Sequence, residues 1–158
     1  MSVEAVRNYL RGFGIEGRMQ EFSVSSATVA LAAQALGCEE RRIAKTLSFL
    51  VDGHAVLLVT AGDAKVDNRK YKDRFHTKAT MLTAQELETL VGHAPGGVCP
   101  FAVPESAEVY LDQSLQRFST VFPACGSANS AVELSCSELE HCSRSRGWVD
   151  LCQGWQEE

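Results

Sequence analysis

A chain of 158 residues, 45% hydrophobic and 22% charged, holds enough apolar material for one packed core and excludes disordered and low-complexity classes. A formal net charge of −5 argues against indiscriminate attraction to nucleic acid, which a uniformly basic surface would give. No apolar run approaches the ~20 residues that span a bilayer, and the opening Met1-Ser2-Val3-Glu4 lacks the basic and apolar regions of a secretory signal, so a cytoplasmic protein with no membrane partner is expected.

In chain order, Val3, Val6, Leu10 and Phe13 recur at helical spacing, and Gly12 and Gly14 end that helix. Ser25 or Ser26 is placed to cap a second helix running through Ala32 to Leu36, with Gly37 as its stop. A short helix from Glu39 leads into Lys45. The period then changes. Thr46 to Val51 and Ala55 to Thr60 are β-rich runs joined by Asp52-Gly53, the strongest hairpin signal in the chain. Both runs are almost continuously apolar, which predicts a covered sheet.

Asp67 can cap a short basic helix, and Thr83 with Glu86 forms a capping box for a helix through Leu90 that Gly92 ends. Residues 93–100 read as a Gly/Pro loop. Val109 to Leu111, Thr120 to Phe122 and Ala131 to Leu134 read as strands, and Ser135 with Glu138 makes a second capping box before a last helix. Helices and strands mixed around a hairpin imply one mixed α/β domain over residues 1–158 with a partly antiparallel sheet. No G-x-G-x-x-G follows a strand and no P-loop is present. Six cysteines, at 38, 99, 125, 136, 142 and 152, contain no C-x-x-C and no zinc spacing. Reduced thiols and neither metal nor cofactor are therefore expected.

Three segments could carry chemistry. Lys45, within Ile43-Ala44-Lys45-Thr46-Leu47, is flanked by core residues, so its ammonium must snorkel out or face a polar cleft. It is either a helix-end lysine favoured by the macrodipole or a fixed cation for a phosphate or carbonyl. The loop His93 to Pro100 sets Gly96-Gly97 between two prolines, leaving bare backbone whose N–H groups can approach a ligand closely. The stretch Pro123 to Ser130 is either a turn or a set of small donors able to read a substrate. Charge is uneven as well. From Lys65 to Lys78 there are seven basic residues, counting His76 when protonated, opposed only by Asp67 and Asp73, while the stretch beyond Glu133 is acidic. Such a local basic patch is either a solvated helical face or a site for a polyanion held in one orientation.

Taken in order, Thr28, Ala32-Ala33, Leu36-Gly37, Ile43-Ala44-Lys45-Thr46-Leu47, Ala61-Gly62-Asp63 and Val66-Asp67 resemble the YbaK/ProX family. So do Val91-Gly92-His93, Gly96-Gly97-Val98-Cys99-Pro100-Phe101 and Val109-Tyr110-Leu111-Asp112. The resemblance runs from about residue 20 to about residue 140, and it is the ordered set that is specific. Members are freestanding relatives of the editing domain inserted in bacterial prolyl-tRNA synthetases. The resemblance implies a mixed, barrel-like central sheet surrounded by helices and hydrolysis of the ester of a mischarged aminoacyl-tRNA.

Within the resemblance, Lys45 matches a lysine that faces the terminal adenosine and the aminoacyl ester. Gly96 and Pro100 match the ends of a G-x-x-x-P loop, including Gly97, whose N–H groups hold the carbonyl. Water is activated with help from a ribose hydroxyl of the substrate, without a metal. Phe22 and Phe49 are either aromatic walls of the site or core residues; Thr28, Thr46, Val98 and Cys99 are candidates to bind substrate, and Lys65, Arg69, Lys70 and Lys72 to bind tRNA. Aminoacyl-tRNA is the implied partner, with an aminoacyl-tRNA synthetase as a further candidate. Some alanine-directed relatives carry a histidine where this chain has Cys125-Gly126-Ser127, which leaves the amino acid open and makes those three residues candidates for its pocket. Two other functions fit the residues: a cysteine hydrolase using Cys99 or Cys125 with His93, and a non-catalytic RNA-binding accessory module.

Overall fold

The computed structural model describes residues 2–156; Met1, Glu157 and Glu158 lie outside them. In chain order the elements are α1 (Ser2–Arg11), β1 (Gln20–Glu21), α2 (Val29–Leu36), β2 (Ile43–Val51), β3 (His54–Ala61), β4 (Lys65–Val66), α3 (Asn68–Phe75) and α4 (Ala84–Leu90). They continue with β5 (Glu108–Asp112), β6 (Thr120–Pro123), β7 (Ser130–Ala131), β8 (Leu134–Ser135), α5 (Cys136–Ser143), β9 (Trp148–Val149) and β10 (Cys152–Gln153). Short 3₁₀ turns lie at Glu16–Arg18, Glu40–Arg42 and Gln113–Arg117.

The hairpin is the spine of the molecule. β2 and β3 pair antiparallel from Ala44↔Ala61 to Val51↔His54, and the two-residue turn puts both Asp52 (φ 49°) and Gly53 (φ 80°) in the left-handed region. That backbone matches the twist of the flanking strands and suits Asp-Gly. Parallel partners join on either side, β6 against β2 and β5 against β3, giving a curled six-stranded half-barrel in the order β8-β6-β2-β3-β5-β9. Seven of the eight residues of β3 are buried, because this central strand is covered on both faces. The core gathers Leu57, Leu58, Val59, Leu111, Leu134 and Leu139 around it, and a smaller cluster of Ala32, Ala33, Ile43 and Phe122 seats α2 on the sheet.

Both capping boxes form, Thr83 with Glu86 and Ser135 with Glu138, and the Asp67 carboxylate accepts from the N–H groups of Arg69 and Lys70 to start α3. Three expectations change. The cap of α2 is Thr28, whose hydroxyl accepts from the Leu31 N–H at 3.1 Å, not Ser25 or Ser26. The chain is still extended at Thr28 (φ −116°, ψ 162°), so helical dihedrals begin later than the serines suggest. The element after Glu39 is a single 3₁₀ turn, and the strand already begins at Ile43. Lys45 is therefore a strand residue, which removes the helix-end explanation for it. Finally, Ala131 to Leu134 is not one strand: Ala131 pairs with Gln20 in one small sheet and Leu134 with Val121 in the main one. The short strands β1, β4, β9 and β10 have no periodic signal in the sequence. Among the described residues no helix is long and apolar enough to cross a membrane.

Candidate functional site

A cleft of about 320 Å³ opens where α2, the start of β2 and two loops meet. One side is built from Ser26, Ala27 and Thr28 with the first turn of α2, and the floor from Ile43 to Thr46. Gly96 and Val98 of the Gly/Pro loop complete the lining, together with Phe122, Ala124 and Ser130-Ala131. Most of these side chains are small and apolar, so the cleft combines bare backbone with one cation, Lys45. Two hydroxyl oxygens on its wall, Ser26 Oγ and Thr46 Oγ1, are buried without a hydrogen-bond partner among the described residues.

Lys45 stands opposite Thr60 in the hairpin register. Its ammonium donates to Ala64 O at 2.6 Å and reaches Gly62 O at 3.5 Å, carbonyls of the turn that follows β3. Burial lowers its pKa below the ordinary lysine value. The Cys152 thiol and Asp63 push it back up, and Lys65 lowers it further. The result is a half-buried cation oriented by backbone acceptors.

The loop opposite is held by contact rather than by chain stiffness alone. Gly97 N–H donates to Ala94 O at 3.1 Å and closes a turn. The N–H groups of Gly96 and Val98 take no acceptor among the described residues. Gly96 has φ +89°, a conformation that favours glycine. Gly97 is required for a different reason: a Cβ there would stand 2.7 Å from Ser127 N and 2.8 Å from Gly126 C. The Gly/Pro loop thus lies backbone-to-backbone on the 126–127 turn, and Pro100 is buried at its end.

Other residues predicted from the sequence fall outside the cleft lining. Phe22 is bound through its backbone, its N–H to Asn129 O at 2.8 Å and its carbonyl to Asn129 Nδ2 at 2.9 Å. Phe49 is a core residue instead of a pocket wall, its ring 4.9 Å from that of Tyr71, because β2 directs it beneath α3. Gly126 and Ser127 support the loop, and the Ser127 hydroxyl is bonded within its own turn, donating to Asn129 Oδ1 at 2.9 Å and lying 2.7 Å from the Ser130 hydroxyl. Lys65, Arg69 and Lys72 are exposed on β4 and α3. Lys70 is instead tied to the C-terminal segment through Asp150 Oδ1 at 3.0 Å and Cys152 O at 3.2 Å.

The thiols do not form a nucleophilic site. Cys99 and Cys125 are fully buried, and burial pushes the Cys99 thiol up to about 12 and the Cys125 thiol up as well. His93 Nε2 lies 2.7 Å from Phe101 O. A carbonyl only accepts, so that nitrogen carries the proton and cannot take one from Cys99 Sγ, 3.5 Å away. The other ring nitrogen, Nδ1, is buried and has no partner among the described residues. Sequence reasoning missed Ser26, Ala27, Val29, Ala32, Ile43, Ala44, Phe122 and Ala131 as lining, while Ala124 and Ser130 come from the stretch it had singled out. Small apolar residues have no chemical signature, and only the packing of four separate segments makes them a wall.

Fold and cleft together define a class: a mixed α/β half-barrel protein with a small, mostly apolar cleft that holds one lysine. The chain belongs to the aminoacyl-tRNA editing domain family, which it matches over residues 24–142. It is 49% identical over 157 residues to the Bacillus subtilis (strain 168) protein YwhH, itself uncharacterized, covering 99% of this chain and 100% of that one. Over 73 residues it is 33% identical to the proline–tRNA ligase of the same strain, a match to 46% of this chain and 13% of the ligase. A crystal structure of a candidate trans-editing enzyme for prolyl tRNA synthetase superposes with a TM-score of 0.87 at 28% identity, covering 97% of this chain and 98% of that one. The hypothetical protein APE2540 superposes with a TM-score of 0.83 at 27% identity, covering 94% of this chain and 99% of that one.

Proposed function

We propose that the protein is a trans-acting hydrolase that clears a wrongly attached amino acid from tRNA. The observation that carries this reading is the meeting at one cleft of about 320 Å³ of Lys45 with Gly96 and Val98, whose N–H groups take no acceptor among the described residues. An aminoacyl ester is already activated, so the site has to orient water and stabilise one oxyanion rather than provide a nucleophile. The water oxygen adds to the ester carbonyl, and the loop N–H groups receive the negative charge on the carbonyl oxygen. The bond to the ribose oxygen then breaks, and the proton lost by water passes to that oxygen. A ribose hydroxyl of the terminal adenosine positions the water. Lys45 holds the ribose-phosphate end as a point charge and is neither acid nor base.

The cleft volume lies at the low end of the ~300–1,000 Å³ range of small-ligand pockets, which suits a small amino acid. Size selection alone separates close analogues by ~10–200-fold, and that is useful as a second sieve behind a synthetase. The exposed cations Lys65, Arg69 and Lys72 lie on the segment that follows the Lys45-holding turn and give an otherwise acidic protein a local footing for the acceptor end of tRNA.

The test is a panel of mischarged tRNAs incubated with wild type and with Lys45→Ala. At least one ester is expected to disappear faster than its spontaneous rate, and Lys45→Ala is expected to lose on the order of 10²-fold in that rate, the size typical of removing one electrostatic contact in a preorganised site. If every ester outlives the assay at its spontaneous rate, the hydrolase reading fails; if charged tRNA is then bound intact, the protein is a binding module.

A further inference from the structure

The carbonyls that receive the Lys45 ammonium belong to the turn Gly62-Asp63-Ala64, and a separate ion pair grips that turn. Arg117, at the end of the 3₁₀ turn after β5, donates from Nη2 to Asp63 Oδ1 at 2.6 Å and from Nη1 to Asp63 Oδ2 at 3.0 Å. This is the bidentate fork that fixes both distance and orientation. Two more of its five donors are also committed, Nε to Ser114 O at 2.9 Å and Nη1 to Trp155 O at 3.1 Å. The guanidinium lies over the rings of Phe118 (4.7 Å) and Trp155 (5.1 Å).

Everything else around the turn is equally constrained. Gly62 is pressed on the preceding 3₁₀ turn, where a Cβ would run into Glu40 O and come within 2.8 Å of Val29 Cγ1. Ala61 N–H donates to Ser114 Oγ at 3.1 Å, and Ala64 N–H closes back on Ala61 O at 3.0 Å. Asp63 is the one exposed side chain of the turn, and Arg117 is its partner. Exposed ion pairs add little to stability. This pair is unlike them in being bidentate, with the Arg117 side chain only 21% exposed.

We propose that Arg117 is a positioning residue: its fork with Asp63 fixes the Gly62–Ala64 turn, and the carbonyls of that turn set where the Lys45 ammonium stands in the cleft. The proposal rests on Lys45 being the substrate-facing cation of the site. The same pair also sets the field at the lysine. The charged and titratable groups that face Lys45 are the Cys152 thiol of β10, Asp63 of the turn and Lys65 of β4; the first two favour the ammonium and the third opposes it. Arg117 partly cancels the Asp63 charge. Removing either member therefore moves the lysine in opposite directions.

The experiment follows Lys45 directly, by carbon NMR of protein labelled at the lysine Cε, with the resonance assigned by its loss in Lys45→Arg. Asp63→Asn keeps a hydrogen-bond acceptor and removes the charge, so the Lys45 midpoint falls. Arg117→Gln leaves Asp63 uncancelled, so the midpoint rises. In parallel, on any ester that wild type clears, Arg117→Gln is expected to lose ~10–100-fold in kcat with KM little changed, as a displaced orienting group does. The double variant is expected to be no slower than Arg117→Gln alone, because both changes break one contact. The proposal is overturned if Lys45 titrates at the wild-type midpoint in both variants, or if a folded Arg117→Gln clears the ester at the wild-type kcat. Should Arg117→Gln fail to fold, the exposed Asp63→Asn carries the test, and an unmoved midpoint there overturns it. The NMR readout needs no substrate, so a wild type that clears no ester defeats the functional reading without deciding this one.

Discussion

Replacing Gly97 by alanine pushes the Gly/Pro loop away from its support by the width of one methyl group. The added Cβ would stand 2.7 Å from Ser127 N, 2.8 Å from Gly126 C and 2.8 Å from Ser127 Cα. All three are backbone atoms, so no flexible side chain can turn aside. Non-bonded heavy atoms settle near ~3.5 Å, and the loop must retreat by about 0.7–0.8 Å to reach that separation. Gly97 is not among the glycines with positive φ, so the cost is steric rather than conformational. Overpacking of this kind costs ~1–3 kcal/mol, which lowers Tm by roughly 2–12 °C in a domain of this size. A displacement approaching 1 Å of an orienting group costs on the order of 10²-fold in rate, and Gly96 and Val98 on either side move with Gly97. The assay pairs thermal melting by circular dichroism with single-turnover ester loss on a substrate that wild type clears. Gly17→Ala is the control, because a Cβ there meets nothing within 4 Å and should leave Tm unchanged or slightly raised. A Gly97→Ala protein that melts and reacts like wild type would refute both the packing account of the double glycine and the assignment of this loop to the oxyanion.

Two more outcomes are expected. The working form of Lys45 is the ammonium, and its pKa is lowered from the ordinary 10.5, mainly by burial. Activity should therefore be retained below that lowered value and fall as pH rises through it, with the alkaline limb starting earlier than for a free lysine; background-corrected rates between pH 6 and 10 check this, and a flat profile counts against the lysine's role. Cys99→Ser and Cys125→Ser, alone and together, should deacylate within about threefold of wild type once folded, since buried thiols with raised pKa are not nucleophiles. A loss of 10³-fold or more in a well-folded variant would revive the thiol mechanism.

Local signals in the chain were accurate where a residue acts on its own neighbours. Asp52-Gly53 names its turn because only a left-handed pair matches the strand twist, and Thr83, Ser135 and Asp67 name helix starts because each satisfies orphan N–H groups within three residues. The same logic failed at Ser25 and Ser26. Both have the chemistry of a cap, and the tertiary pairing of Ser26 N–H with Ala128 O at 2.6 Å keeps that segment extended until Thr28. Phe49 shows the other limit: an aromatic on a strand is equally suited to a pocket wall or a core, and the position of Tyr71 decided it.

Taken by itself, the order of residues determined the mixed α/β class, the central hairpin, the caps of α3, α4 and α5 and, through the ordered family motifs, Lys45 and the Gly96–Pro100 loop as the residues to watch. These are properties of short segments, set by backbone sterics and hydrogen bonds a few residues long. Only the tertiary structure decided which small side chains wall the cleft, that Gly97 has no room for a side chain against Ser127, that the thiols are buried, and that Arg117 pairs with Asp63 in the turn on which Lys45 rests. Each of those depends on atoms brought together across tens of residues, 54 in the case of Asp63 and Arg117, where no local pattern reaches.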